Sequence, residues 1–189
     1  MAPGQEEFLF NRVNSLSESA VIAEIGSYKG RSTVAMGYAC IGTHRKIYCI
    51  DTWCGNDSEN DTWCDNNFDL NQKNFYHFWR ENVVKNDLQD CVIPLVGYSS
   101  EILTQWDALT DGKKIDFIFI DGSHQYSDVL KDFELSYPIV RKGGWIALHD
   151  VPRGKDMGPW DGPYRVWHEV AENILINCGY LHNLSYGQK

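Results

Sequence analysis

The strongest chemical pattern in the sequence is a pair of polar clusters, each placed at the end of an apolar run. The segment DFIFIDGSHQY has Asp121 directly after one run and His124 three residues later, and GGWIALHD has His149 and Asp150 after the next. Neighbouring parallel strands deliver such ends to one edge of a sheet, where two carboxylates and an imidazole can hold a divalent cation. The alternative is that the aspartates cap turns and the histidines satisfy buried hydrogen bonds.

A second candidate site is the segment EIGSYKGRST, which also follows an apolar run. Gly26 and Gly30 allow a sharp turn from strand to helix, and the first amide groups of that helix can face an anion. The spacing does not fit the dinucleotide motif, because Tyr28 and Arg31 stand where its later glycines belong, and it does not fit a P-loop. Glycines in such a turn can also have a purely structural reason.

The apolar run KIYCID ends in Asp51. An acidic side chain at this point can accept hydrogen bonds from both hydroxyls of a cofactor ribose, or it can cap the following helix. The tetrapeptide Asp-Thr-Trp-Cys that begins at Asp51 recurs at 61–64, and we interpret this repeat as coincidence. The recurrence lies in an insertion, 54–71, that contains five acidic residues and neither Lys nor Arg. This insertion is either a lid over the substrate or a solvated loop.

Together these segments resemble the class I S-adenosylmethionine-dependent methyltransferases over about residues 21–151. EIGSYKGRS is similar to the first motif of the catechol-type and macrolide-sugar O-methyltransferases, and the two later clusters resemble the metal-dependent branch that methylates small molecules. The resemblance implies an enzyme that uses S-adenosylmethionine and magnesium or manganese to methylate a hydroxyl of a sugar, catechol or natural product. The cofactor-binding residues it implies are Glu24, Gly26, Ser27, Tyr28, Gly30, Ser32, Asp51, Thr52, Trp53, Ser99, Asp121 and Gly122.

In the same resemblance, Asp121 and Asp150 are metal ligands, and His124 has the position of the base that accepts the hydroxyl proton. His149 stands where the family usually has a carboxylate. Either the imidazole is a softer ligand that favours manganese or iron over magnesium, or His149 does not bind the metal. Two other functions stay open. One is a related metal-dependent hydroxylase that needs an added reductant, and the other is a non-catalytic protein that binds S-adenosylmethionine.

Apolar strands that alternate with helices are needed to position these residues. Strand candidates are AVIAEIG, KIYCID, CVIPLVG, IDFIFIDG and GGWIALHD, with helical stretches near 6–16, 32–39, 75–84, 100–109 and 126–140. This alternation predicts an α/β fold with a doubly wound, mostly parallel sheet of the Rossmann-like methyltransferase type, in a single domain of residues 1–189. After a helix near 164–177, the remaining CGYLHNLSYGQK has room for one strand but hardly for a hairpin of two, so the sheet is expected to lack its final strand.

Composition narrows the function classes. A formal net charge of -9 disfavours a nucleic-acid partner, because such binders gather Lys and Arg on one face. No apolar run approaches the roughly 18 residues of a membrane span, and six cysteines without a C-x-x-C pair suggest a reducing, cytoplasmic environment. The expected partner is a small-molecule hydroxyl acceptor. A homodimer is also possible, because an uncovered sheet edge favours association.

Overall fold

The computed structural model describes residues 1–54, 75–151 and 161–189, in which strands and helices alternate. The strands are β1 (Val21–Ile25), β2 (Lys46–Asp51), β3 (Val92–Val96), β4 (Ile115–Ile120), β5 (Val140–Leu148), β6 (Ile176–Leu181) and β7 (Leu184–Gln188). The helices are α1 (Gln5–Asn14), α2 (Arg31–Gly37), α3 (Phe75–Lys85), α4 (Ser99–Thr104), α5 (Trp106–Thr110), α6 (Tyr126–Ile139), α7 (Gly162–Val166) and α8 (Glu172–Ile174). A 3-10 turn at Tyr38–Cys40 follows α2, and a π-helical turn at Trp167–Ala171 joins α7 to α8.

The described strands form one seven-stranded sheet in the order β3-β2-β1-β4-β5-β7-β6. Strands β1 to β5 pair with one another in parallel, whereas β7 runs antiparallel to both β5 and β6. Every residue of β1 is buried, as expected for a central parallel strand with helices on both faces. Pro94 lies in β3, which is an edge strand and therefore tolerates a residue without an amide hydrogen. The predicted doubly wound, mostly parallel fold is confirmed.

The prediction that the sheet lacks its final strand is wrong. The last helical turn ends at Ile174, earlier than the predicted Asn177, and β6 already begins at Ile176. Only His182 and Asn183 then connect β6 to β7, and His182 has a left-handed backbone (φ 57) of the kind that tight hairpins use. The short segment therefore contains a complete hairpin.

Two apolar layers enclose the sheet, and α1 belongs to one of them. Leu9 and Val13 of α1 are fully buried with Ile22 of β1 and Leu184 of β7. Arg45 fixes the end of this helix, because its buried guanidinium donates hydrogen bonds to the carbonyls of Asn14, Leu16, Ser17 and Ala39. The N-terminal helix is thus held firmly against the C-terminal hairpin. Within the described ranges, the helices are all too short or too polar to cross a membrane.

Candidate functional site

The turns that leave β1 and β4 touch at the carboxyl edge of the sheet. Gly26 has a φ of +84, and a Cβ added there would lie 2.1 Å from the carbonyl oxygen of Asp121. The amide of Asp121 in turn donates to the carbonyl of Ile25 at 2.8 Å. Glycine is therefore required at position 26 for two reasons, the left-handed backbone and the close approach of the neighbouring turn.

Asp121, His149 and Asp150 form a compact cluster of potential metal ligands. His149 Nδ1 lies 3.1 Å from Asp121 Oδ1 and 3.2 Å from Asp150 Oδ2, and the three ligand atoms are within 4.8 Å of one another. His149 Nδ1 is buried and makes no hydrogen bond of ordinary geometry with the residues described. Two carboxylates around such a nitrogen suit a divalent cation, and the imidazole makes the set better for manganese than for magnesium.

Opposing effects act on the charges of this cluster. Burial disfavours the imidazolium form of His149, but the carboxylates of Asp121 and Asp150 outweigh it and raise the pKa to about 9. Burial raises the pKa of Asp121 despite its contact with His149. For Asp150, burial is outweighed by His124 and His149, which hold its pKa well below the usual range. The two carboxylates therefore favour positive charge at His149 Nδ1.

His124 contacts the same cluster from the β4–α6 turn. Its Nε2 lies 2.8 Å from Asp150 Oδ2. The start of α7 closes over this turn, since Gly162 donates its amide to the His124 carbonyl at 3.2 Å, and a Cβ on Gly162 would come within 2.3 Å of that oxygen. Pro163 lines the small cleft that also contains Asp121, His124 and His149.

The β1–α2 turn is built around a fully buried acid, Glu24. Its Oε2 accepts hydrogen bonds from the hydroxyls of Ser27 at 2.7 Å and Thr33 at 2.5 Å, whereas Oε1 has no partner among the described residues. Burial raises the pKa of Glu24, and the hydrogen bonds from Ser27 and Thr33 oppose this increase. The arrangement leaves one acceptor oxygen for a donor from a bound molecule.

Asp51 joins two turns through backbone amides. Its Oδ2 accepts from the amide of Tyr28 at 2.7 Å, and its Oδ1 accepts from the amide of Trp53 at 2.6 Å. Tyr28 and Trp53 both have left-handed backbones, with φ of 46 and 53, so the carboxylate stabilises two otherwise unfavourable conformations. Burial raises the pKa of Asp51, and these amides oppose the increase. Each oxygen retains a lone pair for a ribose hydroxyl.

Two further residues of the predicted cofactor site, Thr52 and Trp53, follow Asp51 directly. Trp53 is only 1% exposed, its indole donates to the Tyr28 carbonyl at 2.9 Å, and its ring packs against Tyr76 and Trp79. Its ring is thus mostly covered by core residues, although the resemblance implies that Trp53 contacts the cofactor. Thr52 accepts from the amide of Cys54. The proposed lid, 54–71, lies outside the described residues apart from Cys54.

Sequence reasoning missed Asp132 on α6. Ser99 donates its hydroxyl to Asp132 Oδ1 at 2.5 Å, and Asp132 Oδ2 lies close to Gly122. Burial raises the pKa of Asp132 to about 6, with the Ser99 hydrogen bond acting against it. The helical spacing indicated this residue, because Asp132 lies on the same buried face of α6 as Val129 and Phe133. An acid on such a face requires a partner.

Gln5 of α1 and Asn183 of the β6–β7 turn were also missed. Gln5 Oε1 lies 3.1 Å from His149 Nε2, and Asn183 Nδ2 lies 2.5 Å from Asp150 Oδ1. No motif marks either residue, because they come from opposite ends of the chain and meet only through the fold.

The parallel sheet with an antiparallel seventh strand defines a Rossmann-like methyltransferase fold. Residues 23–151 match a family model described as a methyltransferase domain, and the chain belongs to that family. An uncharacterised protein of Acanthamoeba polyphaga mimivirus is 47% identical over 53 residues, which are 28% of this chain and 23% of that protein.

Solved structures of several O-methyltransferases have the same fold. An O-methyltransferase from Bacillus cereus, in complex with S-adenosylhomocysteine, matches 100% of this chain and 82% of its own with a TM-score of 0.71 and 19% identity. TomG from Streptomyces achromogenes, in complex with S-adenosylmethionine, matches 100% of this chain and 80% of its own. The TM-score is 0.70 and the identity 15%. The TDP-rhamnose 3'-O-methyltransferase CalS11 matches 97% of this chain and 77% of its own. The TM-score is 0.71 and the identity 16%.

Proposed function

We propose that the protein transfers the methyl group of S-adenosylmethionine to a hydroxyl group of a small molecule, with a divalent cation at Asp121, His149 and Asp150. The observation that carries this proposal is the convergence of these three side chains beside His124, next to the turn that passes Gly26. Membership of the methyltransferase-domain family and the cofactor complexes of the structural neighbours support the choice of cofactor.

The cofactor would lie across the turns after β1, β2 and β4. Glu24 Oε1, which has no partner among the described residues, would accept from the ammonium group of the methionyl end. Asp51 would accept from the ribose hydroxyls with its remaining lone pairs. This orientation would direct the sulfonium methyl group toward Asp121 and the cation cluster.

In the reaction, the carbon–sulfur bond breaks as the acceptor oxygen forms a bond to the methyl carbon. The hydroxyl proton would pass to His124, since a neutral imidazole suits proton transfer near neutral pH. Asp150 beside His124 would stabilise the imidazolium that forms. A bound cation would supply positive charge that lowers the pKa of the acceptor hydroxyl.

The direct test combines cofactor binding with product analysis. Titration calorimetry should detect binding of S-adenosylmethionine, and mass spectrometry should detect a methylated product from a panel of catechols, sugars and polyhydroxylated natural products supplied with manganese. Failure to bind the cofactor at millimolar concentration would exclude this function.

A hydroxylase is the second candidate, because an imidazole with carboxylates also suits iron(II). Hydroxylation would insert one oxygen atom of dioxygen, and an added two-electron reductant would convert the other to water. Oxygen uptake that depends on acceptor, iron and reductant, without methyl transfer, would favour this function instead.

Location and assembly are further proposals. We infer a reducing, cytoplasmic environment, which the buried thiols of Cys40, Cys49 and Cys91 support. We also infer that a homodimer could form along the edge strand β6, where Ile176 and Tyr180 are more than half exposed. Light scattering after size exclusion measures the assembly directly.

A further inference from the structure

We propose that Gln5 and Asn183 are positioning residues for the cation cluster: they present His149 through Nδ1 and leave Oδ2 as the oxygen of Asp150 that faces the cluster. This inference rests on the proposed cation site and goes beyond the residues at the strand ends. Both amides come from parts of the chain far from the methyltransferase motifs, namely the first turn of α1 and the β6–β7 turn.

Backbone groups determine which way the Gln5 amide points. Gln5 Nε2 lies 3.2 Å from the carbonyl oxygen of Leu181, which can only accept, and the amide of Ala2 donates to Gln5 Oε1 at 2.6 Å. The side-chain nitrogen and oxygen of Gln5 are therefore distinguished by fixed partners. Because Gln5 is fully buried, water does not compete for these contacts.

The orientation of Gln5 in turn determines the tautomer of His149. Gln5 Oε1 is an acceptor, so His149 Nε2, which lies 3.1 Å away, must carry a hydrogen. The other ring nitrogen, Nδ1, then faces Asp121 and Asp150. A bare lone pair facing two carboxylates is unfavourable, so this position requires either a proton or a cation. Gln5 thereby selects Nδ1 as the ligand atom.

Asn183 extends the same chain of hydrogen bonds to Asp150. Its Oδ1 accepts from Gln5 Nε2 at 2.7 Å, so its Nδ2 is the group that donates to Asp150 Oδ1. The Asn183 carbonyl also accepts from the amide of Val151 at 2.8 Å, which fixes the hairpin turn beside the site. Asp150 Oδ2 is left to face His124 and His149.

The polar partners of metal ligands fix ligand orientation and commonly change metal affinity by roughly 10- to 100-fold when removed. We therefore expect Gln5→Leu, which keeps the size but removes both hydrogen-bonding groups, to weaken Mn²⁺ binding by roughly that factor. Asn183→Ala should weaken it less, because it leaves the contact between Gln5 and His149 in place. Thr110→Val is the matched control, since it removes a buried hydroxyl that donates to the Trp106 carbonyl within α5.

The experiment measures Mn²⁺ binding to the purified, metal-free full chain by titration calorimetry, with far-ultraviolet circular dichroism to confirm folding. Long-range nitrogen–proton NMR on the Zn²⁺-loaded protein reports the tautomer. Wild type should show His149 protonated at Nε2 and coordinated through Nδ1, and Gln5→Leu should lose this single pattern. If Gln5→Leu does not fold, the Mn²⁺ affinity of Asn183→Ala tests the positioning role by itself.

The outcomes separate this inference from the proposed function. If wild type binds Mn²⁺ and the folded variants bind it equally tightly, the positioning role is refuted while the cation site stands. If wild type itself binds no Mn²⁺, the cation site is refuted and the positioning role with it. Reduced affinity in Gln5→Leu, with Thr110→Val unchanged, supports the proposal.

Discussion

The β1–β2 side and the β4–β5 side of the sheet position their acidic residues in different ways. On the β1–β2 side, Asp51 is held by the backbone amides of Tyr28 and Trp53 from the adjoining turns. On the β4–β5 side, Asp150 is held by the side chains of His124, His149 and Asn183. The first arrangement depends on backbone amides, and therefore on the path of two turns that the parallel sheet brings together. The second depends on the identity of the neighbouring side chains.

Because the two sides hold their acids differently, cofactor binding and cation binding should respond to different substitutions. Substitutions on the β4–β5 side should change cation binding and turnover while the cofactor turns remain intact. Substitutions on the β1–β2 side should change cofactor affinity and also the conformation of the turns.

The largest effect is expected from removal of the cation or of Asp150. Chelation, or Asp150→Ala, should lower methyl transfer by at least roughly 10³-fold, because the charge that stabilises the developing alkoxide is lost. Manganese should restore the chelated wild type but not the variant. Cofactor affinity, measured by calorimetry, should stay within about twofold of wild type in both cases. Full turnover in chelator, with metal absence confirmed by elemental analysis, would refute metal dependence.

His124→Ala is expected to have the next largest effect. Loss of a general base should lower turnover by roughly 10²- to 10⁴-fold and leave cofactor affinity nearly unchanged. The measurement is steady-state kinetics at saturating cofactor and manganese. His168→Ala is a suitable control, since His168 pairs with Glu172 on the protein surface. Wild-type turnover in His124→Ala would assign proton removal to another group or to water.

Asp51→Ala should reduce affinity for S-adenosylmethionine by about 1.5 to 3 kcal/mol, because the ribose hydroxyls lose a charged acceptor. The same change leaves the amides of Tyr28 and Trp53 without their acceptor, so the melting temperature should also fall. Calorimetry measures the first effect and thermal unfolding measures the second. Titration calorimetry with unchanged affinity would remove Asp51 from the cofactor site.

The sequence was sufficient to predict the fold and the strand-end residues because both depend on local patterns. Apolar runs that end in Asp51, Asp121 and His149 place these residues at the carboxyl edge of the sheet, independently of the conformation of the connecting loops. The hairpin was missed because a helix end cannot be fixed from composition when residues 175–177 carry neither Gly nor Pro. Gln5 and Asn183 could not be found, because a contact between residues 178 positions apart has no local signature.

The smallest predicted effect concerns stability and pH in the metal-free protein. The pKa of His149 is raised from 6.5 to about 9 in the folded state, so its imidazolium stabilises the fold fully below pH 6.5. This contribution is lost as pH rises through 9. The pKa of Asp150 is lowered, so its own contribution is lost only in acid and stays constant across this window.

Urea unfolding should therefore show a decrease in the free energy of unfolding, on the order of 2 kcal/mol, between pH 6.5 and 9. The control is His149→Gln, which keeps a polar group of similar length but cannot titrate. Subtracting its pH profile removes the contribution of buried thiols such as Cys49, whose raised pKa also weakens the folded state in alkali. Parallel profiles for the two proteins would show that His149 is not protonated between its carboxylates. A difference confined to the wild type would instead confirm that a proton occupies the position proposed for the cation.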